Sequence, residues 1–182
     1  MDLAYMAALP KEDIVQRRAK VFEQMQEDSL FLVFSDIERR RNDGCDYPFR
    51  QDSYFWYLTG FNEPNSALLL RKQQGEQQAI IFVRPSDKLL EIWNGRRLGV
   101  DNAPPTLLVD TAYAIDEFVP QLKNLVQKQT ALYLLKCGRF FYLFLCQFSS
   151  HNKIRWKPDL SRCVIHDFVR SVQLVARPNH AR

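Results

Sequence analysis

The side chains that could take part in chemistry are concentrated near the carboxyl end of the sequence. All three His and three of the four Cys lie beyond residue 136. They form two pairs, Cys146 with His151 and Cys163 with His166, which supply candidate zinc ligands. Paired ligands in zinc ribbons and fingers are spaced as CxxC or HxxxH. The spacing in this chain does not match those patterns, so we expect no zinc site.

Recognisable catalytic motifs do not occur in the sequence. It contains no GxSxG, no glycine-rich phosphate loop and no HExxH. Asp159 and Asp167 are the only acids after residue 120, so that part of the sequence holds no carboxylate cluster that could bind a pair of metal ions. No His precedes His151, which excludes a histidine base from the first 150 residues. We therefore expect no catalytic residue and no metal ligand in this chain.

Residues 47–64 form an unusual segment in which five aromatic residues fall within eight positions, beside charged and amide side chains. Their spacing predicts a short helix that ends at Gly60. We interpret the rings as core packing and the polar residues around them as an ordered rim, suited to an interface between domains or subunits. The rings are Tyr54, Phe55, Trp56, Tyr57 and Phe61; the rim is Arg50, Gln51, Asp52, Asn62, Glu63 and Pro64.

A second segment follows at Glu91-Ile-Trp-Asn-Gly-Arg-Arg-Leu-Gly99. Residues 87–93 predict a turn of helix, which Asn94-Gly95 breaks. Arg96 and Arg97 could bind an anionic group, as could the basic run at residues 39–41. Acidic residues lie beside both groups. We therefore expect Arg96 and Arg97 to form ion pairs and residues 39–41 to lie in a solvated loop.

Together, the two segments resemble the signature of the amino-terminal domain of Xaa-Pro aminopeptidases (aminopeptidase P), in the creatinase/prolidase family of metallopeptidases. The resemblance covers roughly residues 9–131, in the family's order and approximate spacing. It implies that Trp93 lies at the wall of the substrate pocket; the alternative is that Trp93 packs on its own domain. The interface or structural motif comprises Tyr47, Arg50, Gln51, Tyr54, Phe55, Trp56, Tyr57, Gly60, Phe61, Glu63, Pro64, Glu91, Gly95, Arg96 and Arg97.

The resemblance also implies a function. In this family the amino-terminal domain serves oligomer assembly and walls the active site, while a larger carboxy-terminal domain holds manganese and releases the residue that precedes proline. The metal ligands of that domain have no counterpart here. The resemblance therefore implies a truncated, non-catalytic fragment whose partners are other aminopeptidase P subunits, with peptide substrate only where the catalytic domain is present. A stand-alone interaction or regulatory module, or a nucleic-acid binder, are the alternatives.

The helices and strands predicted around these segments indicate an α/β fold, with a mixed β-sheet of about five strands flanked by helices. A first helix starts near Pro10 and buries Ile14, Val21, Phe22 and Met25; its outer faces carry Arg17, Arg18, Lys20 and Glu23. A strand buried on both faces is predicted at residues 30–34, and further strands at 66–70, 79–83 and 130–135, with a loop at 71–78 inside a hairpin. A break is predicted at residues 103–105, and a helix capped by Asp116 runs to about Gln127. The resemblance implies the same fold, ribonuclease-H-like in shape.

Basic and acidic residues are distributed unevenly along the chain. Residues 1–120 hold 14 basic and 19 acidic side chains, whereas residues 121–182 hold 11 basic and 2 acidic. We place the domain at residues 1–136 and a divergent, irregular basic tail at 137–182, where the family's next helix and strand are not recognisable. Such a shift fits a frameshifted gene end or a poorly ordered one.

Partners and location follow from smaller features. The tail mixes Lys153, Arg155, Trp156 and Lys157 as single-strand binders do, but one cluster is weak, and we expect no nucleic acid. The apolar run at residues 140–146 is too short to span a membrane. The amino terminus lacks a basic region and so is not a secretory signal. Four dispersed Cys fit free thiols in a reducing compartment, which predicts a cytoplasmic protein.

Overall fold

The computed structural model describes residues 10–126, 129, 131–134 and 173–176, with the side chains of Asn94 and of the last four left aside. Five helices occur in this part of the chain: α1 (Lys11–Gln24), α2 (Ser53–Thr59), α3 (Lys88–Asn94), α4 (Gly99–Leu107) and α5 (Phe118–Val126). Its strands are β1 (Ser29–Phe34), β2 (Arg40–Asn42), β3 (Cys45–Asp46), β4 (Ala67–Gln73), β5 (Glu76–Val83), β6 (Thr111–Ala114), β7 (Ala131–Leu134) and β8 (Gln173–Ala176). None of these helices is long and apolar enough to cross a membrane.

A six-stranded mixed sheet forms the centre of the domain, in the order β6-β5-β4-β1-β7-β8. Strand β1 pairs antiparallel with β4 and parallel with β7. Alternate residues of β1 face opposite sides of the sheet: Phe31 packs with residues of α1, α2 and α4, whereas Leu32 packs with residues of α5. Burial on both faces explains the unbroken apolar run of β1. The predicted mixed sheet flanked by helices is confirmed.

Helix α1 shows one error in the sequence prediction. Its apolar residues are buried as expected, but Arg18 is also buried, at 3% exposure. The Arg18 guanidinium donates from Nη2 to the carbonyl oxygens of Leu107, at 3.1 Å, and Leu108, at 2.7 Å. The last carbonyls of a helix lack partners within the helix, so Arg18 caps α4 from another element. Burial lowers the pKa of Arg18 below its ordinary value, and Asp110 opposes this shift.

The hairpin of β4 and β5 corrects a second prediction. Its loop is not residues 71–78 but only Gln74 and Gly75, since Gln73 pairs with Glu76. Both loop residues have positive φ, 51° and 81°, as the type I′ turns of two-residue hairpins require. The polar residues that suggested a long loop belong to the two strands. Their polarity reflects exposure at the end of the hairpin.

Three other elements differ from the sequence prediction. Pro104 and Pro105 lie inside α4 rather than ending an element; the buried Ala103 and Leu107 hold this short helix on the sheet. Strand β6 was missed, because a four-residue strand has little pattern of its own and forms by pairing with β5. Strand β8 was missed as well, since no strand was expected beyond residue 136. The helix that Asp116 was expected to start begins instead at Phe118, after a 3-10 turn at Ile115–Glu117.

Candidate functional site

The aromatic segment folds into helix α2, as predicted. The Asp52 side chain accepts from the amides of Tyr54 and Phe55, both at 2.9 Å, and caps its start. Gly60 ends it in the left-handed conformation, with φ of 64°. Phe55 and Phe61 are fully buried, but Tyr57 is 44% exposed. The interpretation of all five rings as core is therefore wrong for Tyr57, and Tyr54 and Trp56 are only half-buried.

Gln51 ties this segment to the sheet. Its Oε1 accepts from the amides of Asp36, at 2.8 Å, and Asp52, at 2.9 Å. Its Nε2 donates to the carbonyl oxygens of Phe61, at 3.1 Å, and Glu63, at 2.9 Å. All four hydrogen-bonding positions of a buried amide are thus used. Gln51 fixes the loop that carries Glu63 and the buried Pro64 relative to β1.

Tyr47 and Arg50 lie apart from the buried rings. Both are exposed, and they line an open cavity of about 510 Å³ between the loop after β1 and the start of α2. The Arg41 guanidinium lies 5.8 Å from the centre of the Tyr47 ring, and Arg39 forms an ion pair with Asp36 at 2.9 Å. The basic run at residues 39–41 is exposed, as expected of a solvated loop, but Arg40 and Arg41 lie in strand β2 of a small hairpin with β3.

Helix α3 carries the three most exposed large apolar side chains among the described residues. Leu89 is 75% exposed, Ile92 74% and Trp93 86%, and Leu90 is 45% exposed. Asp87 caps the helix by accepting from the amides of Leu89 and Leu90. At 86% exposure Trp93 makes little contact with its own domain. Several large apolar side chains exposed together indicate an interaction surface.

The segment that carries α3 leaves the domain and rejoins it at adjacent points, which together form a narrow neck. Gly95, with φ of 82°, ends the helix. A Cβ added to Gly99 would lie 3.0 Å from the Cβ of Ser86, so the two sides of the neck touch there. Arg97 donates to the carbonyl oxygen of Pro85 across the same gap, at 3.4 Å. Residues 86–98 therefore form a closed excursion with α3 at its tip.

Glu63 lies at this neck. Its Oε1 accepts from the amide of Leu98 at 2.8 Å, and its Oε2 is 3.6 Å from Nη2 of Arg84. Burial raises the pKa of the Glu63 carboxyl, while the Leu98 amide and the charges of Arg84 and Arg97 act in the opposite direction. The ion pairs of the described residues do not include Arg97, whose charge acts on Glu63 only as the smallest of these influences. Arg96 is exposed.

Glu91 lies inside the excursion and accepts a hydrogen bond of 2.7 Å from the Ser86 hydroxyl. The sequence named Glu91, Trp93 and Arg97 but missed Ser86, Arg84 and the apolar neighbours of Trp93. One signal was available. Leu89, Leu90, Ile92 and Trp93 cannot all face inward from a helix of seven residues.

No group of three or more His, Cys, Asp or Glu among the described residues is placed to hold a metal ion. The site is therefore described by its surface chemistry, an apolar helix on a neck of charged and polar contacts. Such a surface can bind another protein surface or cover a pocket formed by a partner.

The comparisons with known proteins agree on one family. Its profile, described as the aminopeptidase P N-terminal domain, matches residues 14–133. The Xaa-Pro aminopeptidase of Haemophilus influenzae is 62% identical over 185 residues, which cover 100% of this chain and 41% of that protein. The Xaa-Pro aminopeptidase of Escherichia coli is 38% identical over 151 residues, 82% of this chain and 34% of that protein. This chain thus spans less than half the length of these relatives.

Solved structures match over the same region. The low-pH form of aminopeptidase P from Escherichia coli aligns with a TM-score of 0.74 and 38% identity, over 81% of this chain and 33% of that one. Proline aminopeptidase P II from Yersinia pestis aligns with a TM-score of 0.74 and 32% identity, over 92% of this chain and 36% of that one. The family profile covers well over half of the sequence, and the fold agrees with it. The chain belongs to the aminopeptidase P N-terminal domain family.

Proposed function

We propose that this chain is the non-catalytic amino-terminal part of an Xaa-Pro aminopeptidase and that α3 is its docking surface toward the catalytic part. The observation that carries this is the exposure of Leu89, Ile92 and Trp93 on one short helix. Covering a large apolar side chain completely is worth about 1.5–3 kcal/mol. A surface of this kind gains most from a partner that removes it from water.

The partner is inferred from chemistry and from the relatives. Proteins named Xaa-Pro aminopeptidase contain this domain as a minor share of their length. In that setting Trp93 walls the substrate pocket, where its flat indole face can pack against a proline ring or an apolar side chain. Manganese belongs to the catalytic part, and other aminopeptidase P subunits are the assembly partners. The domain supplies shape and an apolar wall; the hydrolytic step takes place outside it.

The boundary and the location of the protein are part of the same proposal. We place the domain at residues 1–136 and the basic tail at 137–182; the matched profile ends close to this boundary, at residue 133. The candidate ligands and the basic cluster of the tail lie outside the described residues. Cys45 is an exposed free thiol, which suits a reducing compartment such as the cytoplasm.

A stand-alone interaction or regulatory module is the second candidate, and the same exposed helix favours it. Such a module would bind the intact enzyme. A domain that only completes the catalytic part should instead bind the carboxy-terminal remainder of a relative. In the intact enzyme, that enzyme's own amino-terminal domain already covers the surface to which this chain would bind. The remaining alternative, nucleic-acid binding through the tail, concerns residues outside those described.

Two assays test the proposal. The purified chain, supplied with Mn²⁺ and an Xaa-Pro peptide, should release no amino acid above a metal-free control; turnover would refute its non-catalytic role. The chain should also bind the separately produced remainder of the Haemophilus influenzae enzyme, the part beyond the region matched here. Binding to the intact enzyme in place of the remainder would favour the second candidate.

A further inference from the structure

We propose that Glu63 is a positioning residue: through its hydrogen bond to the Leu98 amide it closes the neck of residues 86–98 and so sets the direction in which the apolar face of α3 points. The inference rests on the proposed function only in taking that face as the docking surface. The closing of the neck is a property of this chain alone.

The geometry shows why one side chain can have this effect. The two sides of the neck are the end of β5 with its extension, residues 83–86, and the return segment at residues 97–99. Among the described contacts, the two sides meet at the close approach of Gly99 to Ser86 and at the long bond from Arg97 to Pro85. Glu63 comes from a third segment, the loop before β4. It lies beside Arg84 on one side and bonds Leu98 on the other.

Beyond this bond the return segment is held by Leu98 itself, whose side chain is 5% exposed and whose carbonyl oxygen accepts from Asn102 at 3.0 Å, but helix α3 has few described contacts of its own. Its largest side chains point into solvent, so they do not anchor it on the sheet. The contacts of Asp87 and Glu91 stay within the excursion, since they bond Leu89, Leu90 and Ser86. A short helix that is supported only at its ends takes its orientation from its ends. Loss of the bond to Leu98 should therefore loosen the whole excursion without opening the sheet.

Hydrogen bonds and buried neighbours hold the backbone at Glu63 in place. Gln51 bonds the backbone carbonyl of Glu63 at 2.9 Å and is itself bonded to the amide of Asp36 after β1. Pro64 and Ser66, which follow Glu63, are buried. A short series of hydrogen bonds, from Asp36 through Gln51 and Glu63 to Leu98, therefore fixes α3 relative to the sheet. We call the Glu63–Leu98 bond the clamp. The carboxylate lies 2.8 Å from the Leu98 amide and 3.6 Å from Arg84. The shorter contact, to Leu98, therefore contributes most to holding the neck closed.

Amide hydrogen exchange on the full chain tests this inference. In Glu63→Ala the amides of residues 88–98 should exchange on the order of tenfold faster or more, while those of β1, β4 and β5 keep the wild-type rate. Glu63→Gln retains an oxygen acceptor for the Leu98 amide and should restore most of the protection. Glu38→Ala removes an exposed acid from the loop after β1 and serves as the matched control. If Glu63→Ala does not fold, Glu63→Asp, which keeps the charge but shortens the reach, should show the same local increase.

The outcomes separate this inference from the proposed function. Unchanged exchange at residues 88–98 in Glu63→Ala or Glu63→Asp overturns the clamp. An equal increase throughout the sheet also overturns it, since that is a loss of global stability. Equal loss of protection in Glu63→Gln and Glu63→Ala overturns the assignment to the Leu98 bond. If the excursion loosens as expected while the wild-type chain fails to bind the catalytic remainder, the clamp stands and the docking role fails.

Discussion

Glu63 accepts a hydrogen bond of 2.8 Å from the backbone amide of Leu98, 35 residues further along the chain. Each residue belongs to one of the two segments that the sequence marked as unusual. The bond shows that the two segments form one structural unit, with the aromatic segment as its base and α3 as its exposed tip. The sequence named both segments and did not predict that they touch.

The raised pKa of Glu63 predicts a pH dependence of stability. Because the folded state holds the Glu63 proton more tightly than the unfolded chain, the contribution of this group to the free energy of unfolding is fully present below the ordinary pKa of 4.5. It is lost as pH rises through the raised folded-state pKa and is constant above it. Relative to wild type, Glu63→Gln should therefore gain stability between pH 4.5 and neutrality.

Urea unfolding of the two proteins at a series of pH values measures this difference. The two proteins share every other titratable group, including Arg84 and Arg97 beside this side chain, so subtraction removes the pH trend that the other groups cause. A difference that stays constant across the range, or one that favours the wild type as pH rises, would contradict the predicted sign.

Arg18 predicts a large loss of stability on substitution. Arg18→Met keeps the length of the side chain but leaves the carbonyls of Leu107 and Leu108 without their charged donor. Hydrogen bonds to charged groups contribute about 1.5–3 kcal/mol each, and the variant also relieves the burial of a charge. We expect a net loss of about 2–3 kcal/mol in the free energy of unfolding, measured by urea denaturation.

Lys20→Met is the matched control, because Lys20 lies two residues further along the same helix and is exposed. Its effect should stay within about 0.5 kcal/mol. Similar losses in the two variants would show that the helix tolerates the change poorly in general and that Arg18 does not cap α4.

The hairpin turn at Gln74 and Gly75 can be improved. Both residues have positive φ, and Asn tolerates that conformation better than Gln does. Gln74→Asn should raise the free energy of unfolding by about 0.5 kcal/mol, and Gly75→Ala should lower it by about 1 kcal/mol. Thermal denaturation of both variants checks the two directions. A loss of stability in Gln74→Asn would mean that the turn is not of this type.

Elements with a strong pattern of their own were predictable from the sequence. Strand β1 is an apolar run with polar residues on both sides, and α2 has both an acidic cap, Asp52, and a terminal glycine, Gly60. Their positions depend on neighbours within a few residues. Local reasoning therefore located them within a residue or two.

Features that depend on distant partners were not predictable. Arg18 resembles any exposed arginine of an amphipathic helix until α4 places its last carbonyls beside it. Pro104 and Pro105 indicate a break, yet packing of Ala103 and Leu107 against the sheet keeps α4 helical. Trp93 lies between these cases: an indole alone fits a core and a docking surface alike, but four apolar residues on a seven-residue helix indicate that some of them must be exposed.

Binding of the full chain to the carboxy-terminal remainder of the Haemophilus influenzae enzyme is the most direct measurement of the docking role. Titration calorimetry would compare wild type with Ile92→Glu and Trp93→Glu, each of which places a charge in the exposed apolar face. Val15→Glu is the control, since Val15 is 44% exposed on a different helix. Docking through α3 predicts at least about a tenfold rise in Kd for the first two variants and none for the control. Unchanged affinity in Ile92→Glu and Trp93→Glu would contradict it.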